Sequence, residues 1–162
     1  MKTILFMRHA KSDWGAQYRS DFERPLNARG QRDAPIMAAF LARHNLMPDR
    51  IVSSPATRAR LTAEFVAKEE RFRGELDFDR RIYLASPNML LAVIRELPED
   101  ADRVMLVGHN PGMEDIIELL GGGHVRMPTA AIASMRLYAD RWADAQPGEA
   151  HLQWLIKPKI LR

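Results

Sequence analysis

Residues 104–120 read Val-Met-Leu-Val-Gly-His-Asn-Pro-Gly-Met-Glu-Asp-Ile-Ile-Glu-Leu-Leu. The first four are apolar without a break. Such a run is too short for a helix and suits a strand buried on both faces. Gly108-His109-Asn110-Pro111-Gly112 then turns the chain, and Ile116, Ile117 and Leu120 follow at helical spacing. Gly121-Gly122-Gly123 ends that helix, because glycine accepts the left-handed cap conformation. A doubly buried strand that feeds a helix is the repeating unit of a parallel sheet covered by helices.

The same alternation extends in both directions. Ile4–Met7 is a second unbroken apolar run. From Asn27 to about His44 the spacing is helical, with Ile36, Met37, Phe40 and Leu41 as the apolar stripe; Pro35 implies a bend or a late start. Ile51-Val52-Ser53 reads as a strand, and Ser54-Pro55 as the cap and first position of a helix carrying Leu61, Thr62, Phe65 and Val66. Leu76–Asp79 is a weaker strand. Ser86-Pro87 repeats the cap-and-proline start before Leu90, Leu91, Ile94 and Leu97. Ile132–Tyr138 and Leu152–Ile156 read as two final strands around a hairpin-like loop. The expected architecture is α/β: a three-layer sandwich, with a mostly parallel central sheet and helices on both faces, formed by residues 1–162 as one domain.

Composition narrows the chemistry. The 162 residues are 46% hydrophobic and 28% charged, with 24 basic and 21 acidic residues and no cysteine. Disulfides, thiolate metal sites and cysteine nucleophiles are excluded, and a cytoplasmic location is the expectation that fits. The basic residues are interspersed with acidic ones, so no nucleic-acid surface is expected. The N-terminal apolar run TILFM meets Arg8-His9 with no cleavage site, so it reads as a strand and not a leader. No run approaches the ~18 residues of a membrane span.

In open α/β sheets the ligand crevice lies beyond the carboxyl ends of the strands. Three strand ends carry unusual residues. The first runs into Arg8-His9, the second into Ser53-Ser54-Pro55-Ala56-Thr57-Arg58, and the strand at 104–107 into Gly108-His109-Asn110. Each piece alone is an ordinary turn. Together they gather two histidines and two arginines on one sheet edge. An imidazole nitrogen is a nucleophile near neutral pH and can carry a phosphoryl group. Two guanidiniums offer forked, permanent charge to its oxygens. No carboxylate cluster with metal spacing accompanies them, so the arginines would supply the charge that Mg²⁺ supplies elsewhere, and no metal or other cofactor is expected.

At these residues the chain resembles a family. LFMRHAKSDW (5–14) resembles the Arg-His-Gly signature of the histidine phosphatase superfamily, the phosphoglycerate mutase-like fold. SSPATRAR (53–60) resembles its second arginine motif and LVGHNPG (106–112) its second histidine motif. DFERPLNARGQRDAP (21–35) and MPTAAIASM (127–135) resemble the SixA branch of phosphohistidine phosphatases. The resemblance implies His9 as the nucleophile, with Arg8, Arg58 and His109 holding the phosphoryl group. Two departures stand out. Ala10 replaces the glycine after the histidine. The loop Arg81-Ile82-Tyr83-Leu84-Ala85-Ser86 lacks the glutamate general acid of ester-cleaving members. An alkoxide leaves poorly without a proton donor, whereas the imidazole of phosphohistidine leaves well.

The expected function is therefore a metal-independent phosphatase with a phospho-His9 intermediate, acting on phosphohistidine in a signalling protein. A small-molecule phosphomonoesterase and a non-catalytic phosphate-recognition module of the same fold are the rivals. The expected partner is a phosphorylated substrate, with neither nucleic acid nor membrane. Lys11, Ser12 and Asn110 are candidate substrate-binding residues. Asp21 and Arg24 are expected to form a structural ion pair, Asn27 to cap a helix, Thr129 to serve a turn and Trp14 to pack or to rim the site.

Overall fold

The computed structural model describes all 162 residues. Six strands form one sheet in the order β3-β2-β4-β1-β5-β6. They are β1 Thr3–Arg8, β2 Arg50–Ser53, β3 Glu75–Phe78, β4 Arg103–Gly108, β5 Ile132–Leu137 and β6 Ala150–Ile156. The pairs β3–β2, β2–β4 and β4–β1 are parallel, while β1–β5 and β5–β6 are antiparallel. The sheet is thus mostly parallel, with the two C-terminal strands forming an antiparallel edge.

Alternation along each strand feeds two cores. Ile4, Phe6, Val104 and Leu106 face one side, with α3 (Pro87–Arg95) and α4 (Gly112–Leu120) laid over them. Leu5, Met7, Met105 and Val107 face the other, under α1 (Ala28–Arg43) and α2 (Thr57–Ala67). All eight strand side chains have no exposed surface. Full burial of one such side chain contributes about 1.5–3 kcal/mol, which is why these runs carry no polar residue.

Local signals set most helix starts. Asn27 caps α1 by accepting from the Gly30 N–H, and Ser86 caps α3 by accepting from Met89. Gly121 closes α4 at φ +114°. Two expectations need correction. Helix α1 does not start late: it begins at Ala28 and runs through Pro35. The carbonyl of Gln31, which would have met the missing N–H, belongs to an exposed residue and can be solvated. The second helix begins at Thr57, not Pro55, with Ala56 at the cap position. Ser54 does not cap it. Its hydroxyl accepts from the Ala56 N–H in the preceding turn and faces His109. A last short helix, α5 (Pro158–Leu161), follows β6 and had no periodic signal of its own.

Sheet register positions the functional edge. Arg8 is level with Gly108 across β1–β4, and Ser53 is level with Val107 across β2–β4. His9 and His109 therefore leave neighbouring strands one residue beyond the same rung. The His9 N–H donates to the Gly108 carbonyl at 3.0 Å, which ties the two exits together.

Candidate active site

A pocket of about 400 Å³ opens at this edge, and Arg8, His9, Arg58 and His109 all line it. Lys11, Ser12 and Asn110 line it too. The fold thus brings together every residue singled out at the strand ends.

The His9 and His109 rings lie 5.3 Å apart. His9 is 7% exposed and His109 3%. Burial holds the pKa of each down at about 3, with the Arg58 charge adding to the effect on His109. Both rings are neutral near pH 7. The Nδ1 of His9 lies 2.7 Å from the Ala10 carbonyl, which can only accept. The proton therefore sits on Nδ1, and Nε2 keeps a free lone pair. His109 Nε2 lies 2.8 Å from Ser54 Oγ. That oxygen also accepts from the Ala56 N–H, and since a hydroxyl can donate and accept at once, the ring tautomer decides which partner donates in the His109 contact. His109 Nδ1 is buried and carries no partner.

The cations are held from behind. Arg58 Nη1 donates to the Asp21 backbone carbonyl at 2.6 Å, and Nη2 donates to its carboxylate at 2.9 Å. Arg24 Nη2 donates to the same carboxylate at 2.8 Å, and the Tyr83 hydroxyl does so at 2.8 Å. Asp21 is thus more than the partner of Arg24: it lies on the pocket wall and joins two arginines and a tyrosine. Partial burial pushes its carboxyl upward. The hydrogen bonds from Arg24, Tyr83 and Arg58 outweigh this and hold it far below the usual carboxylate range. Arg8 Nη1 donates to the Met127 carbonyl at 3.1 Å. The Nε atoms of Arg8, Arg24 and Arg58 are buried and carry no partner.

The remaining residues divide by what occupies their polar atoms. Ser12 Oγ accepts from Arg24 Nη1. Asn110 lines the pocket, but its amide N–H groups donate to Glu114 Oε2 and the Met127 carbonyl, both at 3.0 Å. Those bonds anchor the segment that carries Thr129. Thr129 lines the pocket as well as standing in a turn. The next residue, Ala130, adopts φ +65° and donates its N–H to the Arg8 and His9 carbonyls at 3.1 Å. Trp14 stands at the pocket rim, 67% exposed, with the Arg24 guanidinium 3.6 Å from its ring centre.

Tyr83 was not singled out in the sequence. Its ring packs edge-on against His109 at 5.3 Å. Nothing local marks it, since its partners lie 62 residues away at Asp21 and 26 away at His109. The carboxylates nearby in sequence are committed elsewhere. Glu75 and Asp77 pair with Arg50, and Asp79 pairs with Arg81. No group of three or more histidine, aspartate or glutamate side chains is assembled at metal-binding spacing.

A neutral imidazole with a free ring nitrogen, a second imidazole and guanidiniums with spare donors line one pocket on an α/β sheet edge, an arrangement that suits an anion such as a phosphoryl group. Comparison with known proteins gives the class. The model of the histidine phosphatase superfamily (branch 1) matches residues 4–82, a span that includes Arg8, His9 and Arg58 and stops before β4. An uncharacterized protein of Mycobacterium tuberculosis (strain H37Rv) is 30% identical over 164 residues, covering 94% of this chain and 100% of its own. The structure of a protein from Agrobacterium tumefaciens assigned as the phosphohistidine phosphatase SixA superposes with a TM-score of 0.82 at 28% identity, covering 97% and 98%. A second protein so assigned, from Nakamurella multipartitia, gives 0.84 at 25% identity, covering 97% and 96%. The chain belongs to the histidine phosphatase superfamily and is SixA-like. Its chemistry is that of a phosphatase acting on a phosphorylated substrate. No helix is long and apolar enough to cross a membrane.

Proposed function

We propose that this protein dephosphorylates phosphohistidine on a protein, through a phosphoryl group carried on His9 Nε2. The observation that carries the mechanism is the His9 Nδ1–Ala10 carbonyl hydrogen bond, which leaves Nε2 unprotonated inside a pocket of positive charge. Nε2 attacks phosphorus, and the P–N bond of the substrate breaks with its electron pair passing to the leaving imidazole. If the other nitrogen of that ring bears a proton, the ring departs neutral and needs no acid. Arg8 and Arg58 neutralise the equatorial oxygens throughout, with the His109 ring packed beside them. Water then attacks phospho-His9, breaks its P–N bond and restores the free imidazole.

The phosphoramidate preference rests on the proton inventory. Asp21 is the only carboxylate on the pocket wall, and three donors hold it ionised. A carboxylate so held is a poor general acid. The likeness to the two SixA proteins, assigned as phosphohistidine phosphatases, points the same way.

The test is rapid quenching with ³²P-labelled substrate. Acid-labile, base-stable label should appear on the wild-type chain and be absent from His9→Ala, whose thermal unfolding should match the wild type. A stable His9→Ala protein with near-normal turnover would remove His9 from the mechanism.

A further inference from the structure

A second cleft, of about 450 Å³, adjoins the phosphoryl pocket. Thr129 lines both. The cleft is walled by Arg29, Lys157, Lys159 and Arg162 together with prolines, and no acidic residue lines it. Asp33 lies beneath, fully buried, and Arg162 grips it with bonds of 2.8 and 2.9 Å. Arg29 and Arg32 share the same carboxylate at 3.6 and 3.9 Å. One buried anion thus organises three cations. Lys157 and Lys159 form no ion pair at all within the chain. None of the phosphoryl chemistry uses this concentration of charge.

The opposite kind of surface borders the phosphoryl pocket. Trp14 and Leu84, 67% and 60% exposed, line its mouth. Leu84 is held at φ +50°, a conformation that leucine rarely adopts, and its apolar side chain stays in solvent. Trp14 stacks with Arg24, and tryptophan and arginine are among the residues most enriched at the energetic centres of protein-binding surfaces. A small phosphate ester would fill the first pocket and leave the cleft and the apolar rim unused. The lysines are point charges on flexible stems. They attract carboxylates without demanding one geometry, unlike a shaped second phosphate site.

We propose that the cleft formed by Arg29, Lys157, Lys159 and Arg162 binds acidic side chains that flank the phosphorylated residue of a protein substrate. This rests on the phosphatase reading above and adds the chemistry of the partner: an acidic face, with an apolar residue set against Trp14 and Leu84.

The experiment uses synthetic peptides with a central phosphohistidine flanked either by Asp and Glu or by Asn and Gln. p-Nitrophenyl phosphate serves as the control substrate. At low salt the wild type should favour the acidic peptide by about tenfold in kcat/KM, the scale expected of two exposed charge pairs. The preference should vanish in Lys157→Glu/Lys159→Glu and at high salt, with p-nitrophenyl phosphate hydrolysis unchanged. Equal use of both peptides by the wild type, or a preference that survives charge reversal, overturns the proposal. Anisotropy with labelled peptides and the His9→Ala protein reads docking without turnover. Discrimination there, with a wild type that hydrolyses none of the three substrates, supports the cleft and sinks the phosphatase reading instead. A single-stranded oligonucleotide of equal charge, bound as tightly as the acidic peptide, would make this a nucleic-acid site and overturn the acidic-protein proposal.

Discussion

Asp21 holds Arg58 at two points, through its backbone carbonyl at 2.6 Å and its carboxylate at 2.9 Å. The arginine's direction is thereby set from a segment 37 residues earlier in the chain. That segment is a 3₁₀ turn, Asp21–Glu23, and it is anchored in turn by Arg24.

Replacing Arg58 by alanine should lower kcat by roughly 10²–10³, the usual loss on removal of one preorganised charge-stabilising donor. Asp21→Asn keeps the backbone contact and removes the charged one. It should lower kcat by up to about 10²-fold through misplacement of the guanidinium, with KM nearly constant. Steady-state kinetics on the two variants checks this. A raised KM with unchanged kcat in Asp21→Asn would mean that the pair serves ground-state binding only.

Turnover should depend steeply on leaving-group quality. Aryl phosphates with acidic phenols and phosphohistidine should react well, and alkyl phosphates hardly at all, because the pocket's one carboxylate is kept ionised. The measurement is kcat/KM across esters of graded leaving-group pKa. A shallow dependence would mean that His109 or Tyr83 donates a proton to the leaving group.

Acid should destabilise the folded chain well above the range of its carboxylates. Burial lowers the pKa of His9 and of His109 from 6.5 to about 3. Between those values the unfolded chain binds protons that the folded chain refuses. Stability is then fully present above the unfolded value and falls as pH drops through the window. Each imidazole contributes at most about 1.4 kcal/mol per pH unit. Asp21, depressed in the fold, adds a loss of the same sign at still lower pH. Urea midpoints across the window check this, and His9→Asn should remove about half of the slope.

Gly30→Ala should disturb fold and site together. A Cβ at Gly30 would meet the Lys11 carbonyl at 2.2 Å, a clash with backbone that cannot swing aside. The close approach seats α1 against the chain that leaves His9. Overpacking there should cost about 1–3 kcal/mol. Thermal unfolding and p-nitrophenyl phosphate turnover should fall in parallel. An active variant of unchanged stability would show that the loop shifts freely.

Much of this was legible in the linear chain. Strands β1 and β4 read directly from Ile4–Met7 and Val104–Val107, because a strand covered on both faces cannot afford a polar residue. The caps at Asn27 and Ser86 read from single side chains, because capping is a contact within three residues. Ser54-Pro55 carries the same signature and misleads. The serine hydroxyl is claimed by His109, 55 residues away, and the helix starts at Thr57.

The sequence by itself determined the layered α/β architecture and that four residues, Arg8, His9, Arg58 and His109, gather beyond the strand ends. Apolar period and motif spacing are local quantities, and a parallel sheet makes its strand ends converge. Only the tertiary structure decided that Asp21 and Tyr83 join the site. It alone assigned the free lone pair to Nε2 of His9, and it alone set a basic cleft beside the pocket. Hydrogen bonds across 37 and 62 residues, and the burial that keeps two imidazoles neutral, exist only once the chain has closed on itself.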